Sequence, residues 1–460
     1  MTGSSLIYEE RKVGYFADLT IGYKDFLTFN GAYRYDQSST LPLEANGFDF
    51  FTYGAALTLT DAVPALKSDI INFWKFNLSY ASVGDSPDFN FINQVYTTPT
   101  GFPFGSTTGL AAYTIAASTK FSPSYSKSFE MGTEIDLFKK RVSIGINYYN
   151  STSTDDFLLA GTSAASGVNV LKLNAGEMEN KGLEVDLSGT VLKAKDFEWK
   201  VGVNFSKISN KVISLSDGAE RLQTGLATSE VGVYAQVGQS FPSLYGTAYT
   251  RDDQGRVVID ANTGNPIVSS ELKYLGATTP DFILGLNSTI KYKQFTLTAV
   301  ADYKTGHVYY NNLVDALEFT GSTLHSVTSG RQPFIFPNSS YETAPGVYTA
   351  NTNITTADGA FDFWVNTYNS IKENYVVDAT TFKLREVALN YELPASYIKN
   401  TFIKSVSFGL VARNIMMLRS AQNKYTDPEF TNDGQQVTGF GTQTQLPPTA
   451  SYGFKMDVKF

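Results

Sequence analysis

Few side chains in this sequence could carry out catalysis or hold a metal. The 460 residues include no cysteine and two histidines, His307 and His325. No HExxH or GxSxG motif accompanies them, although a Ser-His-Asp arrangement is recognised by geometry and stays open. A glycine-rich stretch at 101–109 lacks the lysine of a phosphate-binding loop. The sequence therefore predicts no enzyme, and neither a metal nor a cofactor site.

Two carboxylates stand close together in the run Asp427, Pro428 and Glu429. Ca²⁺ takes roughly six to eight oxygen ligands, and the sequence offers no further oxygens at a defined spacing. We therefore expect a solvated loop at this place, rather than a metal site or a contact with a partner.

A polar segment at about 306–379 is rich in aromatic side chains. Planar ligands such as sugar rings stack on aromatic faces, and loops of this length are more often functional than idle. The alternative is that the rings pack against one another. The candidates for ligand contact are Tyr309, Tyr310, Trp364 and Tyr368.

Strict alternation of apolar and polar residues is the dominant pattern of the chain. It ends on the last residue, with apolar side chains at Tyr452, Phe454, Met456, Val458 and Phe460. A period of two predicts a β-strand with one apolar face and one polar face. Thirteen such strands are predicted, beginning near Lys12, Phe26, Phe48, Phe73, Ser126, Arg141, Gly182, Phe197, Asp281, Phe295, Thr381, Ser405 and Thr449.

The composition indicates where such one-sided strands could be buried. The chain has 33 Phe and 28 Tyr, but no window of about eighteen apolar residues, the length that a spanning helix needs. A membrane protein without such helices must be a β-barrel, because only a closed sheet then satisfies every backbone group in lipid. The net charge of −8 argues against a nucleic-acid partner.

Connections of two lengths alternate along the chain. Tight turns are predicted at 24–25, 139–140, 193–196 and 293–294, and long polar loops at about 85–124, 152–170, 214–280, 306–379 and 419–448. Outer-membrane barrels have short periplasmic turns and long external loops. The sequence therefore predicts an all-β fold, an antiparallel transmembrane barrel of the outer membrane, in which segment 214–280 lies outside and adds no crossing.

The direction of the strands leads to a further expectation. The first strand descends into a tight turn, so the N-terminus would lie outside the cell, and the strand count would be odd in an architecture that uses even numbers. We expect an odd number of strands before Met1, and about nine would complete the 22 of the large plugged transporters. Residues 1–10 also show no export signal.

Several segments resemble the SusC/RagA family of TonB-dependent outer-membrane transporters. The most specific is NAGEMENKGLEVDL at 174–187, which resembles the family's Asn-x-Gly-x-Glu strand start. Others are ATTFKLREVALNYELP at 379–394, LVARN at 410–414, where the family has a strand ending in Asn, and PPTASYGFKMDVKF at 447–460. The matched motif residues are Gly176, Asn180, Gly182, Glu184, Asp427, Pro428 and Glu429.

The resemblance implies that residues 1–460 are the C-terminal portion of such a barrel. It implies uptake of oligosaccharides or peptides, a SusD/RagB-like surface lipoprotein as partner, and coupling to TonB through a plug upstream of this chain. It also implies that the last strand, ending in Phe460, is the signal for barrel assembly. Within their strand, Asn180 and Gly182 predict a bulge or a place that keeps the lumen clear.

Two other readings stay open. One is a siderophore- or cobalamin-type receptor without a lipoprotein cap, against which segment 174–187 argues. The other is an orphan barrel piece or adhesin, which would fold alone into a closed barrel. The SusC/RagA reading instead predicts an open sheet edge when the chain is expressed by itself.

Overall fold

The computed structural model describes residues 8–228, 230–430, 438–444 and 446–460. Its main feature is a sheet of thirteen antiparallel strands, which we call the wall, and thirteen is the number that alternation predicts. The wall strands are β1 Lys12–Tyr23, β2 Leu27–Ser38, β3 Gly47–Thr58, β4 Ile71–Asp85, β5 Ser124–Leu137, β6 Val142–Thr154, β7 Gly176–Lys193, β8 Phe197–Leu215, β9 Phe282–Tyr292, β10 Phe295–Thr305, β11 Thr381–Glu392, β12 Ser405–Arg419 and β13 Ser451–Lys459.

The wall is a meander, in which each strand pairs with the next one along the chain. β1 and β13 are its two edges, and no pairing joins them in the described part of the chain. The alternation places large apolar side chains on one face, where they stay exposed; Tyr15, Leu19 and Leu410 are examples. A face of this kind is stable only against a medium other than water.

The helices are short. Those of the described residues are α1 Leu59–Ala62, α2 Asn312–Phe319 and α3 Ala395–Ile398, the 3₁₀ turns Leu43–Ala45, Pro64–Leu66, Ala164–Ser166, Ser216–Gly218, His325–Val327 and Lys372–Tyr375, and the π-helix Asp362–Tyr368. In this part of the chain no helix has the length and apolar character to cross a bilayer.

Short and long connections leave opposite ends of the wall. At one end β1 and β2 are joined through Lys24 and Asp25, both with positive φ, as at other tight turns. At the other end the long connections form smaller sheets, so the predicted loops are richer in structure than their polar sequences indicate. Of the predicted loop 419–448, residues 431–437 and 445 lie outside the described residues.

Twelve further strands form three small sheets. The seven-stranded sheet combines Lys273–Ala277, Ser243–Gly246, Val231–Gln236, Arg221–Ala227, Phe157–Gly161, Val170–Asn174 and Ile115–Ala117; the three-stranded one Val257–Ile259, Ser339–Ala344 and Val347–Ala350; the two-stranded one Val308–Tyr310 and Val376–Asp378. We call these sheets and the segments joining them the loop body. As predicted, segment 214–280 contributes no strand to the wall beyond the end of β8.

The loop body has a hydrophobic core of its own. Val231, Leu244, Tyr310, Tyr375 and Phe440 come from three different connections and are almost fully buried together. Burying such side chains contributes roughly 1.5–3 kcal/mol each relative to exposure. The connections are therefore held to one another and do not behave as separate loops.

Candidate functional site

Charged side chains gather on the polar face of the wall where β10 meets β11. Asp302 on β10 lies opposite Lys383 on β11, and Lys304 and Arg385 flank them. The register between the strands shifts here, so that Arg385 has no partner of its own on β10. A bulge of this kind re-aims a side chain, and it adds Arg385 to the charges already on this face.

The neighbouring strand β12 is irregular at the same level. Its register against β11 also shifts beside Arg385, and Asn414 has a φ of +53°. β12 nevertheless continues to Arg419. The strand thus runs past Asn414, where the resembled family has its strand end, and stops where the sequence predicts the long loop to begin. Asn tolerates the left-handed backbone that lets a bulged strand continue.

The connection after β12 folds back onto these charges. Lys383 Nζ lies 2.7 Å from both carboxylate oxygens of Asp427. Glu429 accepts a hydrogen bond from Lys304 Nζ at 2.6 Å and one from Arg385 Nη1 at 2.9 Å. The prediction of a solvated loop at Asp427, Pro428 and Glu429 is wrong, because three wall cations draw the two carboxylates out of water.

We call Asp302, Lys304, Lys383, Arg385, Asp427 and Glu429 the ion cluster. It combines three cations with three carboxylates, and Arg385 also donates to Asp302 at 2.9 Å. Burial raises the pKa of Glu429, but hydrogen bonds from Arg385, Lys304 and Lys383 outweigh it, and the pKa lies well below its ordinary value. Glu429 is therefore charged under physiological conditions, and the ion pairs of the run tie the connection to the wall.

At the start of β7, the family-like motif begins with a glycine that leaves room for a neighbouring backbone. Gly176 has a φ of +111° and packs against the backbone of Ser214, and the register shift lies next to it, between Glu177 and Met178. The bulge thus precedes Asn180 and Gly182, contrary to expectation, and the pairing through both residues is regular.

Gly182 makes room for a ring. It lies opposite Tyr149 on β6, whose ring covers the place where a β-carbon would stand. Asn180 lies opposite Asn210 on β8, and Glu184 is exposed on the polar face. Asn210, which sequence reasoning missed, accepts a hydrogen bond from the Phe241 amide at 3.0 Å and so joins the wall to the loop body.

The aromatic candidates are part of the loop-body core. Tyr309 and Tyr310 are 1% and 2% exposed and Trp364 is 6% exposed, while Tyr368 is half-buried between Trp364 and Tyr375. Their rings pack against protein, as in the alternative that the sequence left open. Ligand contact is thus not available to Tyr309 or Tyr310 in this conformation.

A second charged group lies within that core, and no sequence motif marks it. Lys372 Nζ lies 3.0 Å from Asp315 Oδ2 and 3.3 Å from Glu230 Oε2. The Tyr310 hydroxyl and the Asn369 amide also donate to Asp315. These hydrogen bonds hold α2 against the segment around residue 372. Among the described residues there is no group of three His, Asp or Glu that could hold a metal ion.

A comparison with known families decides the class of the chain. Residues 3–415 match the family described as TonB dependent receptor-like, beta-barrel. This chain belongs to that family. It is a β-barrel protein of the outer membrane, so the exposed apolar face of the wall meets lipid. The predicted fold class and location are confirmed, and the total of 22 strands stays a prediction.

Relatives are similar over about half of their own length or less. TonB-dependent receptor P3 of Formosa agariphila is 24% identical over 100% of this chain and 46% of its own. TonB-dependent receptor SusC of Bacteroides thetaiotaomicron is 23% identical over 68% of this chain and 33% of its own. The solved RagAB peptide transporter is 17% identical, with a TM-score of 0.75 over 97% of this chain and 47% of that chain.

Strand β13 carries the predicted assembly residues. Tyr452, Phe454 and Met456 are exposed on β13, and Val458 is half-buried. The Phe460 ring stacks on Phe402, with centroids 5.6 Å apart. Its role as an assembly signal stays a prediction.

Proposed function

We propose that this chain forms part of a SusC/RagA-type transporter, which imports oligosaccharides or peptides together with a SusD/RagB-like lipoprotein. The observation that carries the proposal is the extent of the likeness to the RagAB peptide transporter, which includes the loop body as well as the wall. Similarity to a curated SusC supports it further. Transport is driven by TonB through a plug domain, and the family is one of receptors, not of enzymes.

The loop body is suited to carry a protein partner outside the cell. Its seven-stranded and two-stranded sheets share a core, and the ion pair between Lys372 and Asp315 holds α2 to the 3₁₀ turn Lys372–Tyr375. A platform that is already ordered loses less conformational entropy on docking than free loops would. The ion cluster then fixes the connection carrying Asp427 and Glu429 to the lumen side of the wall.

The test is to isolate the full-length protein, tagged and in its native membrane, and to analyse the complex by native mass spectrometry. We expect a surface lipoprotein in stoichiometric amount, and loss of growth on one glycan or peptide source when either gene is deleted. A receptor isolated alone, whose deletion abolishes uptake of a ferric siderophore or cobalamin, would contradict the proposal.

A further inference from the structure

Three short turns at the same end of the wall repeat one arrangement, an aromatic residue followed by a lysine. We call them the aromatic–lysine turns, and they consist of Tyr23 and Lys24 after β1, Phe138 and Lys139 after β5, and Tyr292 and Lys293 after β9. The three aromatic side chains are 53%, 50% and 51% exposed, in that order. The three turns therefore present the same pair of groups to their surroundings.

The backbone of these lysines is unusual. Lys24, Lys139 and Lys293 have φ values of +47°, +60° and +52°. Gly, Asn and Asp adopt this left-handed backbone more readily than lysine does. The geometry of the turn thus does not explain the residue type, and strain that recurs at equivalent places points to a function of the side chain.

Two of the ammonium groups lie on the lipid side of the wall. The rings of Tyr23 and Tyr292 are in register with apolar residues of the next strand, and partners across a ladder share one face of a sheet. Lys24 Nζ lies 5.3 Å from the centroid of the Tyr23 ring, and Lys293 Nζ lies 5.4 Å from that of Tyr292. The positive charges are therefore next to rings that border hydrocarbon, and not above the lumen.

No strong ion pair within the protein neutralises these charges. In the part of the chain that the structure describes, neither Lys24 nor Lys293 forms a salt bridge. Lys139 Nζ lies 3.4 Å from Asp69, but the two side chains are 72% and 86% exposed. An ion pair so exposed to water contributes little. All three lysines are thus available to an anion from outside the protein.

The end of the wall that carries these turns is locally basic. Its four shortest connections, residues 24–26, 138–141, 194–196 and 293–294, contain six lysines and arginines but two aspartates, all of them exposed. The whole chain has a net charge of −8. Because the short turns of outer-membrane barrels face the periplasm, a positive rim on an acidic protein lies beside the periplasmic leaflet of the membrane.

An anionic phospholipid has the chemistry that this rim recognises. Its phosphate attracts an ammonium group, as basic residues near a membrane surface attract anionic lipids generally. Its acyl chains meet the ring beside that ammonium, and aromatic residues favour the boundary between hydrocarbon and water. Inorganic phosphate has no chain to contact the ring, and an acidic protein would approach from the periplasm rather than from the lipid side.

We propose that the aromatic–lysine turns bind the headgroups of anionic phospholipids in the periplasmic leaflet. Each ammonium donates hydrogen bonds to a phosphate oxygen, while the aromatic ring next to it contacts the first part of the acyl chains. The inference depends on the outer-membrane location of the barrel. It does not depend on the cargo or on a lipoprotein partner.

Photochemical cross-linking of the full-length protein in phosphatidylcholine nanodiscs tests the inference turn by turn. The probes are phosphatidylglycerol and phosphatidylethanolamine with the same photoreactive acyl chain, supplied in equal amounts. After peptic digestion, mass spectrometry quantifies the labelled peptides around residues 23–24, 138–139 and 292–293. We expect phosphatidylglycerol to label each of them about fivefold more than phosphatidylethanolamine does, since a lysine near the surface favours anionic lipid by about that factor.

The test variant replaces the three lysines by asparagine, as Lys24→Asn, Lys139→Asn and Lys293→Asn together. Asparagine accepts the left-handed backbone, so the thermal transition should not fall, and the preference for phosphatidylglycerol should disappear. The matched control removes three exposed lysines outside these turns, through the substitutions Lys200→Gln, Lys273→Gln and Lys455→Gln. Its labelling should equal that of the unmodified protein.

The ring is tested separately from the charge. Tyr23→Leu keeps the apolar character of its position but removes the ring face beneath Lys24. It should lower the preference at residues 23–24 and leave the turn at 292–293 as an internal control. An unchanged preference at residues 23–24 would contradict a role for the ring.

Equal labelling by the two lipids, or an undiminished preference in the asparagine variant, would overturn the inference. Full competition by inorganic phosphate would also overturn it, because the site would then recognise a free anion. The same holds if the lysines prove to retain an acidic periplasmic protein while the two lipids label equally. No transport is measured, so each result is independent of the proposed function.

Discussion

The wall and the loop body place their apolar side chains in opposite surroundings. In the wall, large side chains such as Leu410 and Phe454 are more than half exposed on one face, whereas in the loop body Val233 and Leu244 are fully buried. Lipid takes the place of a protein core for the wall, and the loop body must supply its own core in water. The two regions of one chain are thus stabilised differently, the wall by contact with lipid and the loop body by an internal core.

The two regions meet at the ion cluster and at Asn210. Both contacts are polar and lie on the face of the wall opposite the lipid. Charge is tolerated there because that face borders water. The contrast between the regions can therefore be tested by changing each one separately and then their junction.

We expect the largest loss of stability from a substitution that creates a cavity in the core of the loop body. Leu244→Ala should destabilise it by about 2–5 kcal/mol, because Leu244 is fully buried in its core. Hydrogen exchange should show faster exchange in Val231–Gln236 while β4 and β5 stay protected. Val347→Ala, an exposed change, is the control. Equal loosening of the wall would show that the regions are not separate.

A charge on the lipid face should harm the wall to a similar or smaller extent. Leu410→Arg places a guanidinium in hydrocarbon, at a cost of about 2–4 kcal/mol near mid-bilayer. We expect less protein in the outer membrane and a lower urea midpoint in liposomes. Ser407→Arg on the other face, opposite Asp457 and Glu392, should be nearly neutral. Equal damage by both would refute the assignment of faces.

Breaking the junction should have a smaller, local effect. Lys383→Met removes the ion pairs to Asp427 and Glu429, for a loss of about 1–3 kcal/mol that is confined to the connection after β12. Limited proteolysis should then cut between residues 420 and 430. Lys200→Met, which removes an exposed cation from the same face of the wall, should leave that segment resistant.

The smallest effect is a dependence on pH. The pKa of Glu429 is lower in the folded protein than its unfolded value of about 4.3, so its contribution is complete above that pH and is lost as the pH falls toward the folded value. Protease resistance of residues 420–430 should therefore decrease between pH 5 and pH 3. In Glu429→Gln the decrease should be smaller, and an unchanged decrease would assign it to other carboxylates.

The alternating sequence determined the strands of the wall, because a strand between lipid and water needs one apolar and one polar face, and a period of two can be read locally. Tertiary structure alone decided which charges meet. Lys304 and Glu429 are 125 positions apart. No local pattern predicts that the acidic run at 427–429 will pair with three cations of the wall beside a bulge. Tertiary structure also determined that the aromatic candidates are buried, because Tyr310 packs against Phe440 from another connection. Pairings at such distances along the chain follow from the packing of whole elements, which no single segment contains.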